Sequence, residues 1–293
     1  MFEGFGEADV GTGDATLHVR WGGGGPSVLL LHGHPRTHAT WHRVAPLLAE
    51  RFTVVCPDLR GYGRSSKPHS DSSHAAYSKR AMAEDCLGLM RSLGRERFAV
   101  VGHDRGSYVA FRLAMDHPDA VTALVVMDGI PIAEALRRCD ARFARLWWHW
   151  FFLGNPEAVA ERVINLDPDA WYGVDDKREQ MGDEAWQDFR DAVHDPDVVH
   201  AMCEDYRAGL TVDREHDESD RSAGRRVRCP LLMLWAKRDD METLYGDPLA
   251  VWQEWAAEVR GRGIDSGHHM AEEAPADVAR EVADFIGSHG TGT

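Results

Sequence analysis

The stretch Phe98-Ala99-Val100-Val101-Gly102-His103-Asp104-Arg105-Gly106 is an apolar run that breaks into Gly-x-Asp-x-Gly. A helical pattern follows at once, with Val109, Ala110, Leu113 and Ala114 on one face. A buried strand, a reactive residue between glycines and an immediate helix start make the pattern of a nucleophile elbow. That turn is sharp enough to lift one side chain clear of a sheet. The flanking glycines fit because the turn leaves no room for a Cβ there. Such an elbow requires a parallel sheet around its strand, with functional groups gathered at the carboxyl ends of the strands.

The rest of the chain supplies that sheet. Residues 15–21 alternate as a strand does. Short buried runs follow at Val28–Leu31, Thr53–Cys56, Val121–Met127, Pro230–Trp235 and Val259–Ile264. Helical patterns lie between them, at 79–93 and from the elbow to about Met115. This alternation predicts a mostly parallel sheet flanked by helices. From Ala133 to Arg228 buried strand runs stop, and helices are expected at 157–165, 183–194 and 197–208. The expected organisation is a core of residues 1–132 and 229–293, with 133–228 inserted between two strands as a helical cap. A helix over 274–287 closes the fold, and Gly287 to Thr293 reads as a frayed tail.

Bulk properties narrow the partners. Of the 293 residues, 43% are apolar, which supports a large core. The net charge of −15 argues against nucleic acid and anionic membrane surfaces. No apolar run is long enough to span a bilayer. The five cysteines are scattered without metal-type spacing, and the first residues lack a secretory pattern, so a cytoplasmic location is expected. No metal or organic cofactor is implied, and the expected partner is a small-molecule substrate.

A serine at the elbow would form an acyl-enzyme. A carboxylate there suits attack on a saturated carbon that bears a leaving group, giving an ester between enzyme and substrate. Asp104 is therefore the candidate nucleophile. Backbone N–H groups of His34 and Arg105 are the expected donors that hold it ionised and later stabilise an oxyanion. His268, in Ser266-Gly267-His268-His269 after the last strand, is the candidate base for activating water. Asp128, at the end of Val121–Met127, and Asp239, after Pro230–Trp235, are both placed to orient that imidazole.

The succession HGHP, DLRGYGRS, GHDRG, MDGIP and SGHHMAEEAP resembles the α/β-hydrolase superfamily over nearly the whole core. The pairing of HGHPRTHATWHRVAP with GHDRG and CEDYRAG is similar to fluoroacetate (haloacetate) dehalogenases. That resemblance implies an α/β-hydrolase fold, hydrolytic dehalogenation of short 2-halo acids, and a homodimer. It favours Asp128 as the third member of the triad. It implies that Arg105 grips the substrate carboxylate, and that His149, Trp150 and Tyr206 donate to the departing halide. Trp147, Trp148 and Phe151 are expected in an aromatic core of the cap. One departure stands out: the family carries a second arginine where this chain has Tyr108, which can donate one hydrogen bond but brings no charge. The alternative is an epoxide hydrolase, with the same aspartate nucleophile and with His149 and Tyr206 as ring-protonating groups.

Overall fold

A computed structural model describes residues 1–289. Its frame is an eight-stranded sheet: β1 (Gly6–Gly11), β2 (Thr16–Gly23), β3 (Ser27–Leu31), β4 (Thr53–Pro57), β5 (Phe98–His103), β6 (Val121–Met127), β7 (Leu231–Ala236) and β8 (Val259–Ile264). Their spatial order is β1-β2-β4-β3-β5-β6-β7-β8. β1 pairs antiparallel with β2, and β2 with β4. Every other pairing is parallel. The expected strands fall within a residue or two of these bounds. The exception is β1, whose short Gly-flanked run carries too weak an apolar signal to stand out.

Neighbouring side chains of a strand point to opposite faces, so a central strand must be apolar throughout. In β5, Phe98 and Val100 belong to one hydrophobic cluster, while Ala99 and Val101 belong to another on the opposite face. The first cluster packs under the helices Lys79–Ser92 and Arg105–Asp116. The second packs under Ala45–Ala49 and Pro275–His289. Both faces are thereby covered, as buried parallel strands require.

Between β6 and β7 the chain forms helices and turns, with one isolated β-bridge from Val227 to Ala256. The helices expected at 157–165, 183–194 and 197–208 are Val159–Ile164, Asp183–Val193 and Pro196–Ala208. The last continues through a π-helical turn, Gly209–Asp213, into a charged helix, Arg214–Ser222. The closing helix runs on to His289, so residues 287–289, expected in a frayed tail, are helical. Residues 290–293 lie outside the described residues. Among the described residues no helix is long and apolar enough to cross a membrane.

Candidate active site

Asp104 sits just past β5 with φ +49° and ψ −119°, a backbone that side-chain-bearing residues rarely adopt. The turn is as crowded as its sequence predicts. A Cβ on Gly102 would come within 2.2 Å of the Gly106 carbonyl, and one on Gly106 within 2.4 Å of the His32 carbonyl. Strain of this kind persists only where the surroundings impose it. Here the sheet ladder continues one residue past the strand ends: the Asp104 N–H donates to Met127 at 2.9 Å, and the Asp128 N–H to Leu234 at 3.0 Å.

The carboxylate is held on one side and free on the other. The His34 N–H donates to Asp104 Oδ1 at 2.7 Å. The other oxygen, Oδ2, lies 3.9 Å from His268 Nε2. Burial works to raise the Asp104 pKa. The charges of His268 and Arg105 and the Arg105 N–H outweigh it, so the group stays below the usual carboxylate range. Of the two expected backbone donors, the His34 N–H is hydrogen-bonded to this carboxylate.

His268 meets acids at both nitrogens. Its Nδ1 is 3.0 Å from Asp239 Oδ2 and 3.3 Å from Asp128 Oδ2. Burial opposes the charged imidazole, but the carboxylates of Asp128, Asp239 and Asp104 hold its pKa well above the ordinary value. The two orienting acids differ in setting. Asp128 is buried, takes the Ala236 N–H on Oδ1 at 2.9 Å, and has its pKa raised chiefly by burial. Asp239 stays 30% exposed; His268 outweighs its burial and pulls its pKa down. The choice between Asp128 and Asp239 is thus no choice in space, because both reach one nitrogen.

These groups open into a cavity of about 280 Å³, whose wall also includes His34, Tyr108, His149, Trp150 and Tyr206. Among the described residues, the hydroxyls of Tyr108 and Tyr206 and the Trp150 indole N–H make no hydrogen bond to protein. Burial raises the pKa of both phenols, so they are neutral donors. Burial lowers His149 to about 4 and His34 to about 3, so both rings are neutral as well.

Arg105 corrects the expectation from sequence. Its guanidinium is not part of the cavity wall. It is buried and turned to Asp205, with Nε 3.0 Å from Oδ2 and Nη2 2.9 Å from Oδ1 and 2.7 Å from the Asp205 carbonyl. Nη1 is buried without a partner among the described residues. Asp205 also accepts from Tyr62 at 2.6 Å and from the Lys79 ammonium. The arginine beside the nucleophile therefore ties the elbow helix to helix Pro196–Ala208 through Nε and Nη2. Trp148 and Phe151 are a second correction. They are 49% and 41% exposed, not core. Trp147 is buried as expected, but it also lines the cavity and donates to Asp240 at 2.8–2.9 Å.

Sequence reasoning missed Asp240, Met241, Leu146 and His269 as wall residues. Their adjacency to Asp239, Trp147 and His268 was the available signal. His103, Asp128 and His268 bring potential metal-ligand atoms within 4.8 Å of one another. Hydrogen bonding accounts for this closeness: His103 Nε2–H donates to the His268 carbonyl at 2.8 Å, and His268 Nδ1 faces the carboxylates.

The α/β hydrolase fold family model matches residues 26–275. The chain is 44% identical to a fluoroacetate dehalogenase from a Burkholderia species, covering 98% of this chain and 95% of that protein. It is 33% identical to a soluble epoxide hydrolase from Corynebacterium sp. strain C12, over 92% and 93% of the two chains. The crystal structure of ALR0039, described as a candidate α/β hydrolase from Nostoc sp. PCC 7120, superposes with a TM-score of 0.94 at 41% identity, covering 98% and 99%. An aspartate at the elbow, an imidazole facing it and strand-end acids behind that imidazole thus stand in a chain that belongs to the α/β-hydrolase family, among its members similar to fluoroacetate dehalogenase.

Proposed function

We propose that this protein is a hydrolytic dehalogenase that works through a covalent ester on Asp104. One observation carries the reading: Asp104 Oδ1 is fixed by the His34 N–H at 2.7 Å, while Oδ2 is free and 3.9 Å from His268 Nε2. Oδ2 attacks the carbon that bears the halogen. The new C–O bond forms as the carbon–halogen bond breaks, and the halide leaves with the bonding pair. Trp150 N–H, Tyr206 O–H and His149 are donors that can replace the water stripped from the halide.

The second step reverses the roles. Esterification removes the Asp104 charge, and with it one of the carboxylates that hold His268 protonated. The imidazole then becomes a competent base at Nε2, with Asp128 and Asp239 behind Nδ1. It takes a proton from water, and the hydroxide adds to the Asp104 carbonyl carbon. The oxyanion rests on the N–H groups of His34 and Arg105. Collapse expels the alcohol product and restores the carboxylate. The cavity of about 280 Å³ suits a short organohalide. A 44% identical fluoroacetate dehalogenase supports this class of reaction and a short 2-halo acid-like skeleton.

A single turnover in heavy-oxygen water tests the route. The label is expected in Asp104 and not in the first product molecule; label in that product would refute the ester. Epoxide hydrolysis is the second reading, favoured by the free phenols of Tyr108 and Tyr206 and by the epoxide-hydrolase relative. There Asp104 opens the ring and a phenol proton passes to the departing oxygen. Measuring halide release against diol formation on matched small substrates separates the two.

A further inference from the structure

The cavity has an unusual charge inventory for a site expected to receive an anion. Four carboxylates line it: Asp104, Asp128, Asp239 and Asp240. Among the described residues, no lysine or arginine does. His268 is the one wall group held in a cationic state, and it is already shared among three of those acids. Burial keeps the other wall imidazoles, His34, His149 and His269, below their ordinary pKa.

The nearest arginines are neutralised elsewhere. Arg105 is held by Asp205, and Lys79 bridges Asp205 and Asp213, so these groups satisfy one another in one buried cluster. Arg36 is bidentate to Glu272, at 2.7 and 3.2 Å. The position three residues beyond Arg105 is Tyr108, whose phenol offers a donor without charge. In a confined, weakly screened site the sum of such charges decides which ligand enters.

We propose that the substrate is uncharged: a short organohalide whose activating carbonyl is a primary amide, not a carboxylate. This rests on the dehalogenase reading above and refines it. The polar complement is on the wall. The free hydroxyls of Tyr108 and Tyr206 can donate to an amide carbonyl. Asp239 or Asp240 can accept from its N–H groups, where a carboxylate would meet only repulsion.

The probes are 2-chloroacetamide and chloroacetate, matched in size and leaving group. A His268→Asn variant, blocked at ester hydrolysis, is incubated with each, and the Asp104 peptide is followed by mass spectrometry. That readout separates the site from any alkylated cysteine. The amide is expected to esterify Asp104 at least about tenfold faster than the acid, the scale on which one uncompensated charge discriminates. Wild-type halide release should follow the same order. Tyr108→Arg should shift the ratio toward chloroacetate, and Asp240→Asn should shift it the same way by a smaller factor, covering the case in which the arginine variant fails to fold. Equal or faster esterification by chloroacetate in the Tyr108-containing protein overturns the inference and leaves the Asp104 chemistry standing. No Asp104 ester from either probe overturns both.

Discussion

The two sides of the cavity are built differently. On the sheet side, Asp104, Asp128 and His268 are fixed by backbone donors, by strand-end hydrogen bonds and by one another. On the opposite side, Tyr206 and Trp150 come from helices of the insertion and present donors that no described residue uses. Bond-making groups need fixed geometry, because misplacement of a reacting atom is costly. Recognition groups need unfilled hydrogen-bonding capacity. The molecule therefore assigns the first task to the sheet and the second mainly to helical side chains.

The sharpest way to break this comparison is to remove the sheet-side nucleophile. Asp104→Asn keeps the shape and loses the attacking oxygen; turnover measured by halide release should fall by more than about 10⁴-fold. His268→Asn should be nearly as damaging to steady turnover, yet it should still release about one equivalent of halide per site as the ester accumulates. Intact-protein mass spectrometry checks that, and a variant without the burst would place His268 in the first step as well.

The buried join between the two sides comes next. Asp205→Asn leaves Arg105 without a carboxylate, and Lys79 with Asp213 alone, in a buried site. Denaturant unfolding should show a loss of about 3–5 kcal/mol, as expected for a broken buried pair. A loss near zero would mean that the cluster does not tie the elbow helix to the insertion.

Acidity gives a gentler test. The His268 pKa lies above its ordinary value and the Asp104 pKa below its own. The ionised nucleophile therefore survives to low pH, whereas the neutral base gains population only as pH rises. Pre-steady-state kinetics should find ester formation flat across neutral pH and ester hydrolysis rising toward alkaline pH. The intermediate should build up more at pH 6 than at pH 9.

The smallest expected effects concern the two acids behind His268. Asp128→Asn and Asp239→Asn should each reduce turnover about tenfold, because the other still faces Nδ1. The double variant should lose well over the product of the two, the mark of a shared partner. Strict additivity would mean that only one of them orients the ring.

Much of the frame was legible from local pattern. Apolar runs placed β3 to β7, alternation placed β2, the position after the last such run placed β8, and strand ends located Asp104, Asp128, Asp239 and His268. β1 escaped because it is a short edge strand with mixed polarity. Trp148 and Phe151 misled because an aromatic cluster in sequence has no fixed direction until its helices pack.

What the sequence determined by itself is the turn: glycines where a Cβ would strike backbone, and an aspartate between them on a left-handed φ. The clash at Gly102 is with Gly106, four residues on, so short-range sterics dictate it, whereas Gly106 must clear the His32 carbonyl at the end of the neighbouring strand. Tertiary structure decided the charge around that turn. Arg105 is committed to an acid 100 positions away, and His268 is divided between acids from two strands. Electrostatic partners are chosen by distance in space and by burial, and neither is written in the neighbourhood of the residue that depends on them.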